Sequence, residues 1–175
     1  IDGTGKIVTA TTGGWTATIT LDEIGWTYDA SAHLPSISSF TLSNGTKTFT
    51  NTAQQVSISG TQTNVGNYNA SLAAVDNGCL KNSKNVPFRI NKKTLTITAN
   101  NHTITYGDAP ANNGVTYSGF EGTEDESVLG GTLAYDYSYT QYGNVGNNYS
   151  ITPKGLTSTN YNITFTPGKL TVNQK

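Results

Sequence analysis

The sequence predicts an all-β protein made of two tandem small β-domains, each an immunoglobulin-like sandwich or β-grasp-like sheet, the second carrying one short helical turn. Three observations predict it. Only 12% of the 175 residues are charged, about half the usual share, and the polarity comes from Thr, Asn, Ser and Gly. Thr suits a pleated surface because its branched Cβ packs there, while Asn and Gly suit turns because both tolerate positive φ. Next, polar and apolar residues alternate over short runs separated by turn signals. With 34% hydrophobic residues and ten tyrosines, the chain has material for real cores. The third observation is that the chain repeats itself.

"NVGNY" at 64–68 returns as "NVGNNY" at 144–149. Aligning them brings other landmarks together. "WTYDA" (26–30) meets "ITYGDA" (104–109), with Tyr28 and Tyr106 78 residues apart. Val65 and Val145 are 80 apart, and Ile90 of "FRINKK" and Val172 of "KLTVNQK" are 82 apart. Landmarks in one order at a nearly constant period mark a duplicated architecture. The small drift is what loop insertions produce. The predicted boundaries are 15–91 for the first domain and 93–175 for the second. Residues 1–14 fit neither copy and are read as a leading strand or linker, or as one arm of a hairpin turning at Gly13-Gly14.

In order along the chain, "TATITL" opens the first copy with strict alternation over 16–22, followed by strands at 24–28, 37–42, 47–51, 55–59, 68–75 and 86–91. "TLTITA" opens the second over 94–99, followed by 103–106, 115–118, 132–140, 149–152, 161–166 and 169–173. In each copy a Gly-centred turn delivers a Tyr into the next strand. Gly66 and Gly146 are assigned a backbone conformation that a Cβ would penalise, and Tyr68 and Tyr149 a buried place beside the turn. Tyr28 and Tyr106 are expected to be buried too. One stretch breaks the β pattern. In "GFEGTEDESVLGG" (119–131), Thr123 and Glu126 have capping-box spacing, acids fill the first turn, and Gly130-Gly131 stand where a helix would stop. A helical turn is predicted over 124–129.

Composition also excludes functions. A net charge of −1 provides no basic field for nucleic acid. No apolar run reaches membrane-spanning length and no signal-peptide core is present. The absence of Met, even at position 1, fits an excised fragment or a mature product. Cys79 is the only cysteine, so no intramolecular disulfide forms, and its loop "DNGCLKN" reads as harbouring a bystander thiol. His33 and His102 fall at non-equivalent places without a second ligand at metal spacing. No nucleophile elbow, P-loop or zinc-protease motif occurs, so no catalytic residue and no cofactor is assigned.

Two candidate sites remain. Glu121, Glu124, Asp125 and Glu126 are the one acidic cluster, with the oxygen donors that calcium prefers. The competing reading, a helix N-terminus, spreads these acids around the helix, and it is favoured. Tyr135, Tyr137 and Tyr139 alternate with small or polar residues, so one strand face carries three phenols. Exposed, they would form a platform for stacking sugar rings; the favoured reading is a core face.

"TITYGDAP", "YSGFEGTEDESVLGGTL", "GNVGNNYSITPKGL", "NYNITF" and "GKLTV" together resemble the MBG (mostly-beta, glycine-rich) domain, over about 94–173. "TYDASAH", "TNVGNYNASL" and "FRINKK" are similar to the related YDG-like repeats, although Ala30 stands where that pattern has Gly. Such domains occur in tandem in large bacterial surface proteins and adhesins. The resemblance implies an extracellular bacterial setting, at the cell surface or wall, and supplies no catalytic residues, so a non-catalytic structural or adhesive module is expected. Only Lys92 and Lys93 separate the two copies, without a Gly, Ser or Pro run, so a stiff, monomeric stalk segment is expected. Its partners would be neighbouring repeats and host or matrix glycans or proteins. The alternatives are a carbohydrate-binding module using the Tyr platform, or an appendage of a secreted glycan-active enzyme.

Overall fold

The computed structural model describes residues 6–50, 56–74 and 84–175 and divides into two compact units, Ile1–Asn91 and Lys92–Lys175. Cys79 lies outside the described residues.

The first unit has strands β1 (Ile7–Thr12), β2 (Trp15–Leu21), β3 (Gly25–Thr27), β4 (Ile37–Ser43), β5 (Thr48–Thr50), β6 (Val56–Ser59), β7 (Gly66–Ala74) and β8 (Lys84–Asn91). One sheet has the order β1-β2-β4-β5 and the other β3-β8-β7-β6. Alternation decides what each face does. On β2, Ala17, Ile19 and Leu21 are buried, and on β8, Val86, Phe88 and Ile90. Residues from the two sheets meet in one apolar cluster, with Ile19 and Phe40 on one side and Leu72 and Phe88 on the other. Residues 7–12 are a strand that forms one arm of a hairpin. They pair antiparallel with β2 from Ile7–Thr20 to Thr12–Trp15, through Gly13 (φ 59°) and Gly14 (φ 78°), the left-handed pair that a two-residue hairpin requires.

The second unit has β9 (Lys93–Ala99), β10 (His102–Thr105), β11 (Val115–Ser118), β12 (Gly130–Tyr137), β13 (Gly146–Thr157), β14 (Tyr161–Thr166) and β15 (Gly168–Asn173). Its sheets are β10-β15-β13-β12 and β11-β9-β14. They pack through β13 and β15 against β9, enclosing Ile151, Leu170 and Val172 with Ala99.

One sheet is topologically the same in both units. β3 is parallel to β8 and β7 antiparallel to it, with β6 at the far edge; β10, β15, β13 and β12 reproduce this arrangement. Register repeats as well: Trp26 faces Ile90 and Ile104 faces Val172. The Tyr28 amide donates to the Asn91 carbonyl, and the Tyr106 amide to that of Asn173, each at 2.9 Å. The other sheet differs at its edge. β1 lies antiparallel beside β2, whereas β14, which lies between β13 and β15 in sequence, runs parallel beside β9.

The helical turn is smaller and later than expected. Only Glu126–Val128 form a 3₁₀ turn, and its N-cap is Asp125, which accepts from the Ser127 amide, not Thr123. An earlier turn, closed by the Glu124 amide on the Glu121 carbonyl at 2.9 Å, already uses the backbone around Thr123. Gly130 and Gly131 do not end a helix; they begin β12.

Candidate functional site

The two repeated turns share one chemistry. The Tyr68 hydroxyl donates to the Asn64 carbonyl at 2.8 Å, and the Tyr149 hydroxyl to the Asn144 carbonyl at 2.9 Å. Each phenol reaches back over "NVGN" to the first residue of the turn, as tyrosine corners do in β-sandwiches. The extra Asn of the second copy is absorbed as a bulge. Gly66 and Tyr68 face Ile90 and Phe88 in regular register, whereas between Gly146 and Tyr149 the register against β15 shifts.

A Cβ is disfavoured at both glycines, for different reasons. Gly146 has φ 155°. Gly66 is not in the left-handed region; a Cβ there would lie 2.7 Å from the Tyr68 ring. Tyr68 and Tyr149 are half-buried, with hydroxyls that reach a backbone partner. Tyr28 is 4% exposed, but Tyr106, at 42%, overturns the expectation of burial. Both tyrosines stand one residue beyond a strand, β3 ending at Thr27 and β10 at Thr105, so what covers the ring decides its burial. The Tyr106 ring meets that of Tyr142 at 6.5 Å edge-on, and Tyr142 is itself held at φ 66°. Ala30 has φ 59°, a left-handed backbone that an L-residue other than Gly adopts at a cost.

The tyrosine stripe faces inward. Tyr139 is 1% exposed, and Tyr135 and Tyr137 pack half-buried against the same core cluster. Tyr139 meets Tyr149 edge-on at 5.0 Å, and the Tyr137 hydroxyl accepts from Asn112 Nδ2 at 2.8 Å. These rings support the core and do not form an open platform. The Tyr139 hydroxyl is buried with no hydrogen-bond partner among the described residues. Tyr149→Phe is therefore expected to cost about 1 kcal/mol for its lost hydrogen bond, and Tyr139→Phe to be neutral or slightly stabilising. Chemical denaturation of the two variants checks the contrast.

Burial raises the pKa of Tyr135, with the Tyr117 and Tyr137 phenols adding to the effect, and burial followed by the Glu126 carboxylate raises that of Tyr117. Both shifts favour the neutral phenol in the folded state. Their stabilisation is complete below the ordinary phenol pKa of about 10 and is lost as pH rises through the folded values. Spectrophotometric titration is expected to show at least two phenols ionising late, accompanied by a loss of stability.

The acidic cluster disperses. Glu121 pairs with Lys93, Glu124 accepts from the Tyr161 hydroxyl, and Asp125 caps the 3₁₀ turn. The Asp125 carboxyl is held below its usual range by the Ser127 side chain and amide. No group of three potential metal ligands converges among the described residues. EDTA is expected to leave the melting temperature unchanged; a calcium-dependent rise would show a bound ion. His33 is also engaged. Its ring stacks on Trp26 at 4.8 Å, its Nε2 lies 2.8 Å from Asp29 Oδ1, and its backbone bridges to Gln62. The Ser31 amide, with His33 adding, lowers the Asp29 pKa.

Sequence reasoning missed one feature. The outer face of β3, β8 and β7 carries an open groove of about 700 Å³ lined by Glu23, Gly25, Asn67, Asn69, Arg89 and Asn91, among others. Its sequence signal is the polar half of the alternation in "NYN" and "PFRIN", whose apolar half builds the core.

Against known families, residues 95–171 match the model described as MBG domain (YGX type), a mostly-β module. The match covers most of the second unit. Searches of curated proteins and of solved structures found no match.

Proposed function

We propose that this chain, with an MBG-type module as its second unit, is a non-catalytic structural or adhesive segment of a secreted bacterial surface protein, one stiff piece of a tandem stalk. The observation that carries the reading is the tyrosine-anchored turn present in both units. The motif that recurs is occupied with holding backbone in place, and the side chains that looked chemically promising are occupied in the same way. Glu121, Glu124 and Asp125 have partners within the fold, and the tyrosine stripe packs on the core.

The setting would be extracellular, with neighbouring repeats and host or matrix glycans or proteins as partners. Activity assays on the whole chain test the reading: no hydrolysis of glycans or peptides is expected. Turnover that survives repurification would sink it.

A further inference from the structure

We propose that the groove on the outer face of β3, β8 and β7 in the first unit binds an acidic sugar, its carboxylate on Arg89 and its hydroxyls on the amides of Asn67, Asn69 and Asn91. The site follows from register. Asn67 faces Arg89 across β7 and β8, and Arg89 faces Gly25 across β8 and β3. These three form one row, with Asn69 and Pro87 in the next. Asn67, Asn69, Pro87, Arg89 and Asn91 are all exposed, because their neighbours Val86, Phe88 and Ile90 take the core side of β8. Gly25 lines the groove beside Arg89. A Cβ there would come to 3.8 Å from Arg89 Cγ, so its absence leaves open space beside the guanidinium. The resulting volume of about 700 Å³ falls within the usual range for small-ligand sites.

The chemistry selects the ligand class. Among the described residues no ion pair holds Arg89. Glu23 does not neutralise it: its Oε1 accepts from the Ile24 amide at 3.2 Å, and its Oε2 lies 3.7 Å from Lys6 Nζ. A free guanidinium presents a planar fork of donors that matches a carboxylate in bidentate geometry. Each flanking amide offers both a donor and an acceptor, which suits hydroxyls. Asn91 Nδ2 is held by the Trp26 carbonyl at 3.1 Å, which fixes that side chain. A simple anion would use Arg89 and leave the amides idle. An extended peptide would add to a sheet edge, whereas this groove lies on a sheet face.

The second unit serves as an internal control. Its equivalent row has Thr171 facing Thr103, and Lys169 faces Ser150. The same sheet therefore folds with threonines where the first unit has Arg89 and Gly25. Arg89→Thr and Gly25→Thr should thus remove the ligand contacts and leave the fold intact.

The test is ligand-observed and amide-shift NMR on the whole chain with digalacturonate, glucuronate and sialyllactose, with lactose and inorganic phosphate as comparators. We expect at least one acidic sugar to bind with millimolar Kd and to shift the amides of β3, β7 and β8. Arg89→Thr and Gly25→Thr should each weaken binding about tenfold or more without changing the melting temperature. Several results would overturn the proposal: no binding by any acidic sugar, lactose binding as well as its acidic counterparts, phosphate binding as tightly as the sugars, or either variant binding like the parent.

Discussion

Tyr161→Ala is expected to destabilise the second unit by about 3–5 kcal/mol, the range for truncating a fully buried large aromatic. Tyr161 is 2% exposed and opens β14, the edge strand beside β9. Its ring meets Phe120 edge-on at 5.6 Å, which in turn lies 5.5 Å from Tyr117. Its hydroxyl accepts from the Glu121 amide at 2.9 Å and donates to the Glu124 carboxylate. One side chain thus joins the edge strand to the 119–129 segment. Tyr161→Phe keeps the ring and should lose about 1–3 kcal/mol, as expected for bonds with a charged partner. For a domain of this size each kcal/mol shifts the melting temperature by roughly 4–8 °C. Calorimetry of the whole chain should show one transition falling steeply for Tyr161→Ala and less for Tyr161→Phe. Equal effects would mean that the hydroxyl, not ring packing, carries the residue's contribution.

Gly131→Ala and Gly155→Ala should have comparably large effects, for a steric reason. A Cβ on Gly131 would lie 2.1 Å from the Gly155 carbonyl oxygen, and one on Gly155 would lie 2.2 Å from that of Thr132. The two glycines sit beside the register shift between β12 and β13, with φ 79° and 89°. Each substitution meets backbone, which cannot rotate away as a side chain can. Overpacking costs about 1–3 kcal/mol, and a left-handed alanine about 1–2 more, so about 2–5 kcal/mol is expected for each. Gly122→Ala separates the two terms: its φ is 55° but nothing lies within 4 Å of the added Cβ, so only the conformational cost of about 1–2 kcal/mol should remain. If Gly131→Ala were as mild as Gly122→Ala, the strands would not be pressed together at the bulge. Because the two positions crowd one another, the double variant should cost less than the sum of the singles.

Most of the fold was legible in the sequence because β-structure writes itself with period two. "TATITL" and "TLTITA" place Ala17, Ile19 and Leu21 in one core and Leu95, Ile97 and Ala99 in the other, and strand positions follow from alternation and turn residues alone. The duplicated "NVGN" revealed a duplicated turn because a tyrosine corner joins phenol and carbonyl over a short stretch of chain, four residues in the first unit and five in the second. The groove was not legible. Its residues are the exposed half of ordinary strands, and nothing local marks Gly25, Asn67 and Arg89 as neighbours when up to 64 residues separate them.

The sequence by itself therefore determined the all-β class, which face of the regular strands is apolar and that one turn occurs twice, since these depend on short-range pattern and spacing. Tertiary structure decided which strand fills the edge, β1 beside β2 or β14 beside β9. It also decided that the acids of "TEDE" are divided between a cap and the Tyr161 hydroxyl, and that Tyr106 is exposed where Tyr28 is buried. These outcomes depend on which distant backbones and side chains meet, and pairing across a sheet is chosen by the energy of the whole packed arrangement, which no local window of residues contains.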